Sequence, residues 1–322
     1  MPHFLIEMTQ TIHRKLNESS AARWTVLFIV SVVMMMGYVV AKEMSPLQYF
    51  LELPQSEGGL GWSSSEFGLF IGSRGFFNVY LLMLFVSGVI LDKTGVRFAG
   101  MLSCVLMLVG TAIDYYAIAI ASPVPATEVT FPTLGLDHTM VKDQVLMSAF
   151  GFAVFGIGYE LCGITVSKVI VKWFSGKEMA LAMGIQVALA RFGTALALLG
   201  GPFLAKYYQL STPILVGLFS VGLAVVIYLI YCAMDRKLDK ASDADNNEEK
   251  KAEKFSFKGL LTTLRSPGFW LITLLCMLYY SALYPFLDFA TKLMISKYGV
   301  SPEWAGGISS ILPFTSIILT PL

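Results

Sequence analysis

Glu160 and Arg191 stand near the middle of two apolar runs, "GFAVFGIGYELCGITVSKVIVKW" (151–173) and "MALAMGIQVALARFGTALALLGG" (179–201). An ionisable group at the centre of a bilayer costs about 2.5–3.5 kcal/mol or more, so each needs a partner or a task. Glu160 lies twelve residues before Lys172, and Arg191 fourteen after Lys177. At 1.5 Å per residue, antiparallel helices carry both about 18–21 Å from the hairpin "KWFSGK", at matching depth. A carboxylate accepts an ammonium, and a guanidinium offers a planar fork to a carboxylate. The two therefore either strut helices together or hold the charged ends of a zwitterion, and a pair that closes when empty does both. Gln186 interrupts the same apolar face, as a secondary ligand group or as a helix-to-helix hydrogen bond.

A second cluster lies in "CMLYYSALYPFLDFATK" (276–292), where Tyr279, Tyr280 and Tyr284 precede Pro285. Proline removes one backbone hydrogen bond and permits a kink suited to a gate. The tyrosines cap a substrate or form an interfacial belt. Arg74, Asp114 and Asp288 lie eighteen residues from Asp92, seventeen from Arg97 and twenty-one from Pro267. That is about 25 Å or more from the basic-loop side, so these three read as outer anchors or as the lining of an outer vestibule. Lys168 reads as an anchor on the inner side.

The elements that must position these groups follow from composition. Of 322 residues, 56% are hydrophobic and 14% charged, with a mean hydropathy of +0.68. This balance predicts an all-α membrane protein. A net charge of +1, with basic residues confined to short loops, gives no electrostatic case for nucleic acid. Cys104, Cys162, Cys232 and Cys276 have no metal or redox spacing, and His3, His13 and His138 lie outside the apolar runs. No nucleophile–base arrangement or phosphate loop appears, so no enzyme activity, cofactor or metal is expected.

Counting about 20 apolar residues per crossing yields eight spans: 24–42, 66–91, 98–120, 144–171, 179–205, 212–234, 268–290 and 302–322. Lys and Arg flank alternate loops, which places the N-terminus in the cytosol. Residues 1–23 form a cytosolic segment, 24–234 a six-helix bundle, 235–267 a mixed-charge linker, and 268–322 the start of a second bundle. The last apolar run stops without a closing loop, which reads as a truncation. Ala180, Gly184 and Ala188, then Gly193, Ala197 and Gly201, form a small-residue stripe for close helix packing.

"GVILDKTGVR" (88–97) turns between the second and third spans. Gly88 permits a close helix approach, Asp92 caps a neighbouring helix, Gly95 turns the chain and Arg97 anchors the next helix. These residues resemble the signature loop of the major facilitator superfamily, with Ile90 and Lys93 conservative departures and Val96 in place of a usual Arg. The resemblance implies two rocking six-helix halves around a midplane site, Asp92 as a gate latch, and further helices after Leu322.

"FGIGYE", "WFSGKE", "MGIQVALARFG" and "LYYSALYPF" are similar to the branch of that superfamily that contains the animal lysosomal dipeptide uniporter. The resemblance implies that Glu160 and Arg191 contact the amino and carboxyl ends of a dipeptide. Lys168, Asp114 and the loop 121–143 differ from that branch, so side-chain selectivity and partner docking do not carry over. The expected protein is a secondary transporter in a lipid bilayer, acting as a monomer on a small-molecule substrate by alternating access. The alternatives are a proton-coupled drug or metabolite antiporter, for which "LLGGP" (198–202) is a weak sign, and a non-transporting truncated protein. "MPHFLIEMTQ" holds no acidic dileucine signal, so a prokaryotic cytoplasmic membrane is the expected location.

Overall fold

The computed structural model describes residues 19–121, 126–131, 136–174, 176, 178–243 and 262–319. In chain order it comprises α1 (Ser20–Glu43), α2 (Gln48–Glu52), α3 (Ser64–Ser73), α4 (Phe76–Tyr80), α5 (Met83–Ala119), strands β1 (Ala126–Phe131) and β2 (Leu136–Lys142), α6 (Asp143–Phe174), α7 (Met179–Tyr207), α8 (Thr212–Asp243), α9 (Pro267–Tyr298) and α10 (Pro302–Leu319). Short 3₁₀ turns, Ser45–Leu47 and Gln55–Glu57, flank α2. Six helices are long and apolar enough to cross a membrane. One of these, α5, holds the end of the expected second span and the whole third, joined at Gly95 with φ 80° and ψ 171°. Such a backbone favours glycine, so the expected turn is compressed to a one-residue kink.

The second span departs from expectation. It is broken twice, at Arg74–Gly75 and at Leu81–Leu82, where Leu82 takes φ 50°. Its first piece, α3, starts with a capping box, Ser63 accepting from the Glu66 N–H at 3.1 Å and Glu66 from the Ser63 N–H at 2.8 Å. At the first break the Arg74 carbonyl sits so close to Gly156 of α6 that a Cβ there would lie 2.0 Å from it. Asn78 of α4 donates to the Gly156 carbonyl at 3.1 Å. Polar contacts of this kind let irregular backbone persist at membrane depth.

Helix pairing also differs from the hairpin expectation. The second half of α5 packs most closely on α6, where a Cβ on Gly110 would lie 2.4 Å from the Phe155 nitrogen and 2.5 Å from the Gly151 carbonyl. The small-residue face of α7 packs chiefly on α1 and α10 instead of α6. Gly193 meets Met35 of α1, and Gly306 of α10 meets Leu198 of α7. Gly88, expected at a close approach, has no atom within 4 Å of a built Cβ. The loop 121–143 contains an unexpected antiparallel hairpin, paired from Ala126↔Lys142 to Val129↔Thr139. Lys142 ties it to α3, donating to Glu66 Oε2 at 2.9 Å and to the Gly61 carbonyl at 2.8 Å.

The two ends of the bundle are named here for the hairpin and for Gly95. On the Gly95 side α9 stands away from the first bundle, its residues Pro267–Tyr280 exposed except for half-buried Phe269. Leu271 and Leu275 are 69% and 70% exposed, as befits a surface facing lipid or other helices. Part of the linker expectation is redrawn, because α8 continues to Asp243. Residues 244–261 and 1–18, and Lys177, lie outside the described residues.

These contacts predict opposite responses to two glycine substitutions. Gly110→Ala forces α5 from α6 and should lower thermal stability in detergent, by about 1–3 kcal/mol on the scale of overpacked cores. Gly88→Ala meets open space inside a helix and should be neutral or mildly stabilising. A Gly110→Ala protein melting with the wild type would remove the packing argument.

Candidate functional site

An aromatic column runs along α6, with Phe152 stacked on Phe70 at 4.6 Å, then Phe155 and Tyr159, and Tyr38 of α1 edge-on to Tyr159 at 5.2 Å. Spacings of three and four residues put these rings on one helix face. Beside the column opens a cavity of about 590 Å³ between the first bundle and α9, lined by Arg74, Asn78, Glu160, Tyr284, Pro285 and Asp288 among others. Glu160 is half-buried there and makes no hydrogen bond or ion pair among the described residues.

Glu160 is not paired with Arg191. The charge that acts on it is Arg74, across the same cavity. Of the two places expected for Arg74, an outer anchor or the lining of an outer vestibule, the structure favours the second: it lines this cavity and bonds to the hairpin end of α1. Its guanidinium lies 6.0 Å from the ring centres of Phe152 and Tyr159 and 5.7 Å from that of Tyr284, within cation–π range of all three. Its Nη1 donates to the Ala41 carbonyl at 3.2 Å. Arg191, half-buried on α7, has no ion pair among the described residues and acts electrostatically on Lys42 and Tyr284.

Lys42 and Asp288 form a buried ion pair between α1 and α9, at 3% and 7% side-chain exposure. Ser45 donates to the same Asp288 oxygen at 2.9 Å, and Lys42 lies 5.0 Å from the Tyr284 ring centre. Asp288 is thus an interior strut instead of an outer anchor. Asp114 is likewise interior, 2% exposed and accepting a hydrogen bond from Ser148. The neighbouring Glu43 is 2% exposed, and neither of its carboxylate oxygens has a hydrogen-bond partner. Two further pairs, Lys292 with Glu52 and Lys206 with Glu303, also join the first bundle to α9 and α10. All three inter-bundle pairs among the described residues lie on the hairpin side.

Among the described residues, the ion pairs on the Gly95 side stay within the first bundle. Asp92 meets Lys168 at 2.6 Å, and Arg97 meets Asp239 at 2.7 Å and Asp235 at 3.4 Å. Lys172 reaches both of these aspartates at 2.8 Å, and Tyr231 donates to Asp235. Pro285 lines the cavity, whereas Tyr279 and Tyr280, 55% and 40% exposed, lie outside its lining. Tyr284 is the tyrosine that borders it, stacked on Tyr280 at 5.3 Å. Gln186 is half-buried with no hydrogen bond among the described residues. Lys42 was missed because it falls at the edge of the first apolar run. The available signal was the adjacent pair Lys42–Glu43 immediately before a proline-containing turn.

Comparisons with known proteins follow the same lines. The family profile described as Major Facilitator Superfamily matches residues 19–322. The chain is 27% identical over 251 residues to the lysosomal dipeptide transporter MFSD1 of Danio rerio, covering 75% of this chain and 49% of that protein. Against the same transporter of Homo sapiens it is 27% identical over 188 residues, 54% of this chain and 38% of that protein. The chain thus spans half or less of the length of these curated relatives. In fold it is similar to the crystal structure of a D-xylose-proton symporter, with a TM-score of 0.59 and 13% identity over 93% of this chain and 67% of that one.

Replacing Asp288 by Asn leaves the Lys42 ammonium buried without a carboxylate, and removal of one partner from a buried pair costs about 3–5 kcal/mol. Lower thermal stability and faster labelling of a cysteine placed at Ser45 are the expected outcomes. Exchanging both residues together, Lys42→Met with Asp288→Leu, should recover most of the stability. Asp288→Asn behaving as wild type in both measurements would show that the pair fastens nothing.

Proposed function

The chain belongs to the major facilitator superfamily, and on that premise we propose that the protein moves a short peptide, or a zwitterion of similar size, across the bilayer by alternating access. The observation that carries this reading is a pair of opposite charges, each without an ion-pair partner among the described residues: Glu160 on α6 lines the cavity with Tyr284, and Arg191 on α7, outside that lining, acts electrostatically on Tyr284. An ammonium settles against Glu160 and a carboxylate against Arg191, and the distance between them selects for chain length. Support for a peptide comes from the relatives, which are named as dipeptide transporters. The cavity volume of about 590 Å³ falls in the range of small-molecule sites.

The ion pairs supply the gating side of the proposal. Basic residues cluster on the Gly95 side, which makes it cytosolic and the hairpin side the opposite face. Lys42–Asp288, Glu52–Lys292 and Lys206–Glu303 then hold the far side shut while α9 stands clear on the cytosolic side. In the reverse state Asp92 leaves Lys168 for a partner across the bundle interface, with Gly88, Gly95 and Arg97 shaping that loop and Pro285 bending α9 beside the substrate. Gln186 and the column Tyr279, Tyr280 and Tyr284 reach the substrate only as the bundles close.

Uptake of labelled Ala-Ala into proteoliposomes tests the reading, with Glu160→Gln and Arg191→Gln checked for intact folding. Each variant removes one charge-assisted contact and should lower uptake about tenfold or more. Wild-type uptake preserved in both variants would reduce the two side chains to structural groups.

A further inference from the structure

The charges around the cavity do not balance. Lys42 and Asp288 are in contact and neutralise each other. Glu160 is then the one carboxylate left in the lining, acted on by Arg74, while Arg191 lies outside the lining and acts electrostatically on Tyr284. A zwitterion held between Glu160 and Arg191 satisfies those two groups and leaves Arg74 without an anion. Among the described residues no carboxylate forms an ion pair with Arg74: its guanidinium lies within cation–π range of three rings, and one N–H is used by the Ala41 carbonyl. A guanidinium carries five N–H donors in a rigid fork matched to a carboxylate. Three rings within cation–π range and the bond to the Ala41 carbonyl hold the guanidinium beside the cavity before any ligand arrives, so binding has less side-chain freedom to remove.

We propose that Arg74 is a second carboxylate-binding residue of the cavity, and that the preferred substrates are dipeptides with an acidic side chain. This rests on the peptide reading above and assigns the third charge of the substrate. The α-ammonium meets Glu160, one carboxylate meets Arg191 and the other meets Arg74. Asn78, one turn along and already turned to the Gly156 carbonyl, holds the break in place so that Arg74 stays at this position.

The test compares peptides that differ in charge and hardly in shape. Unlabelled Ala-Glu, Ala-Gln and Ala-Lys compete for Ala-Ala uptake into proteoliposomes containing the full-length protein. Ala-Glu should compete about tenfold better than Ala-Gln, the size of effect expected for one charge-assisted carboxylate contact. In Arg74→Gln the ratio between the two should fall to near one, and in Arg74→Lys, which keeps the charge and loses the fork, it should fall partway. The same ratio is read from peptide-induced shifts in melting temperature where a variant transports too slowly. Equal competition by Ala-Glu and Ala-Gln in the wild type overturns the inference while leaving the peptide reading intact. So does a ratio unchanged in Arg74→Gln, or loss of all peptide binding in both variants, since Glu160 and Arg191 should still hold a neutral dipeptide. Absence of uptake or binding for every peptide in the wild type removes the peptide reading, and this inference with it.

Discussion

A guanidinium inside a helical bundle has to be held by something, and here Arg74 is held by ring faces and one carbonyl instead of a carboxylate. Much of the site follows from that. The rings of Phe152 and Tyr159 have to stack on one face of α6, which needs the tight descent of α6 along α5 that Gly110, Gly151 and Gly158 permit. Arg74 reaches them from the C-terminal end of α3, still at helical angles, with a glycine at 156 for its carbonyl to rest on. Substituting a carboxylate for the rings would neutralise the arginine and remove its use toward a ligand.

The second organising feature is the uneven distribution of ion pairs. In low dielectric a contact pair is strong and its separation costly. Three such pairs fasten α9 and α10 to the first bundle at one end, while the charges at the other end are satisfied internally among α5, α6 and α8. The interface therefore has a hinge made of electrostatics and an opening made of exposed leucines. Small residues do similar work along α7, where Gly193 and Gly306 bring backbones into contact with α1 and α10.

The membrane class and most of the crossings were legible in hydropathy, and counts of 1.5 Å per residue assign each charged group a level along its helix. Depth, however, carries no azimuth. Two residues at the same level on consecutive helices meet only if those helices pack, and α7 packs on α1 and α10, which separates Arg191 from Glu160. For Arg74 the count pointed to the hairpin side, where it bonds to the Ala41 carbonyl, but it could not show which cavity the side chain lines. For Asp288 the count was sound but the partner was hidden, because Lys42 lies where the first apolar run fades. The hairpin of β1 and β2 carries no period-two alternation, since the apolar residues of "ATEVTF" fall at 126, 129 and 131 and those of "LDHTMVK" at 136, 140 and 141, so hydropathy patterning could not reveal it. The capping box at Ser63 and the helix start at Pro267 after Ser266 are local and could be read directly.

The broken second span bears on how such a chain is made. A crossing of about 30 Å needs roughly 20 helical residues, and α3 has 10 and α4 only 5. The backbone at the first break bonds locally, from the Gly75 N–H to the Gly72 carbonyl and from the Val79 N–H to the Gly75 carbonyl, but its seat is on α6, where Gly156 receives the Arg74 carbonyl and the Asn78 amide. That seat lies some eighty residues further along the chain. The final packing of the second span therefore belongs to tertiary folding and cannot be completed by the span alone.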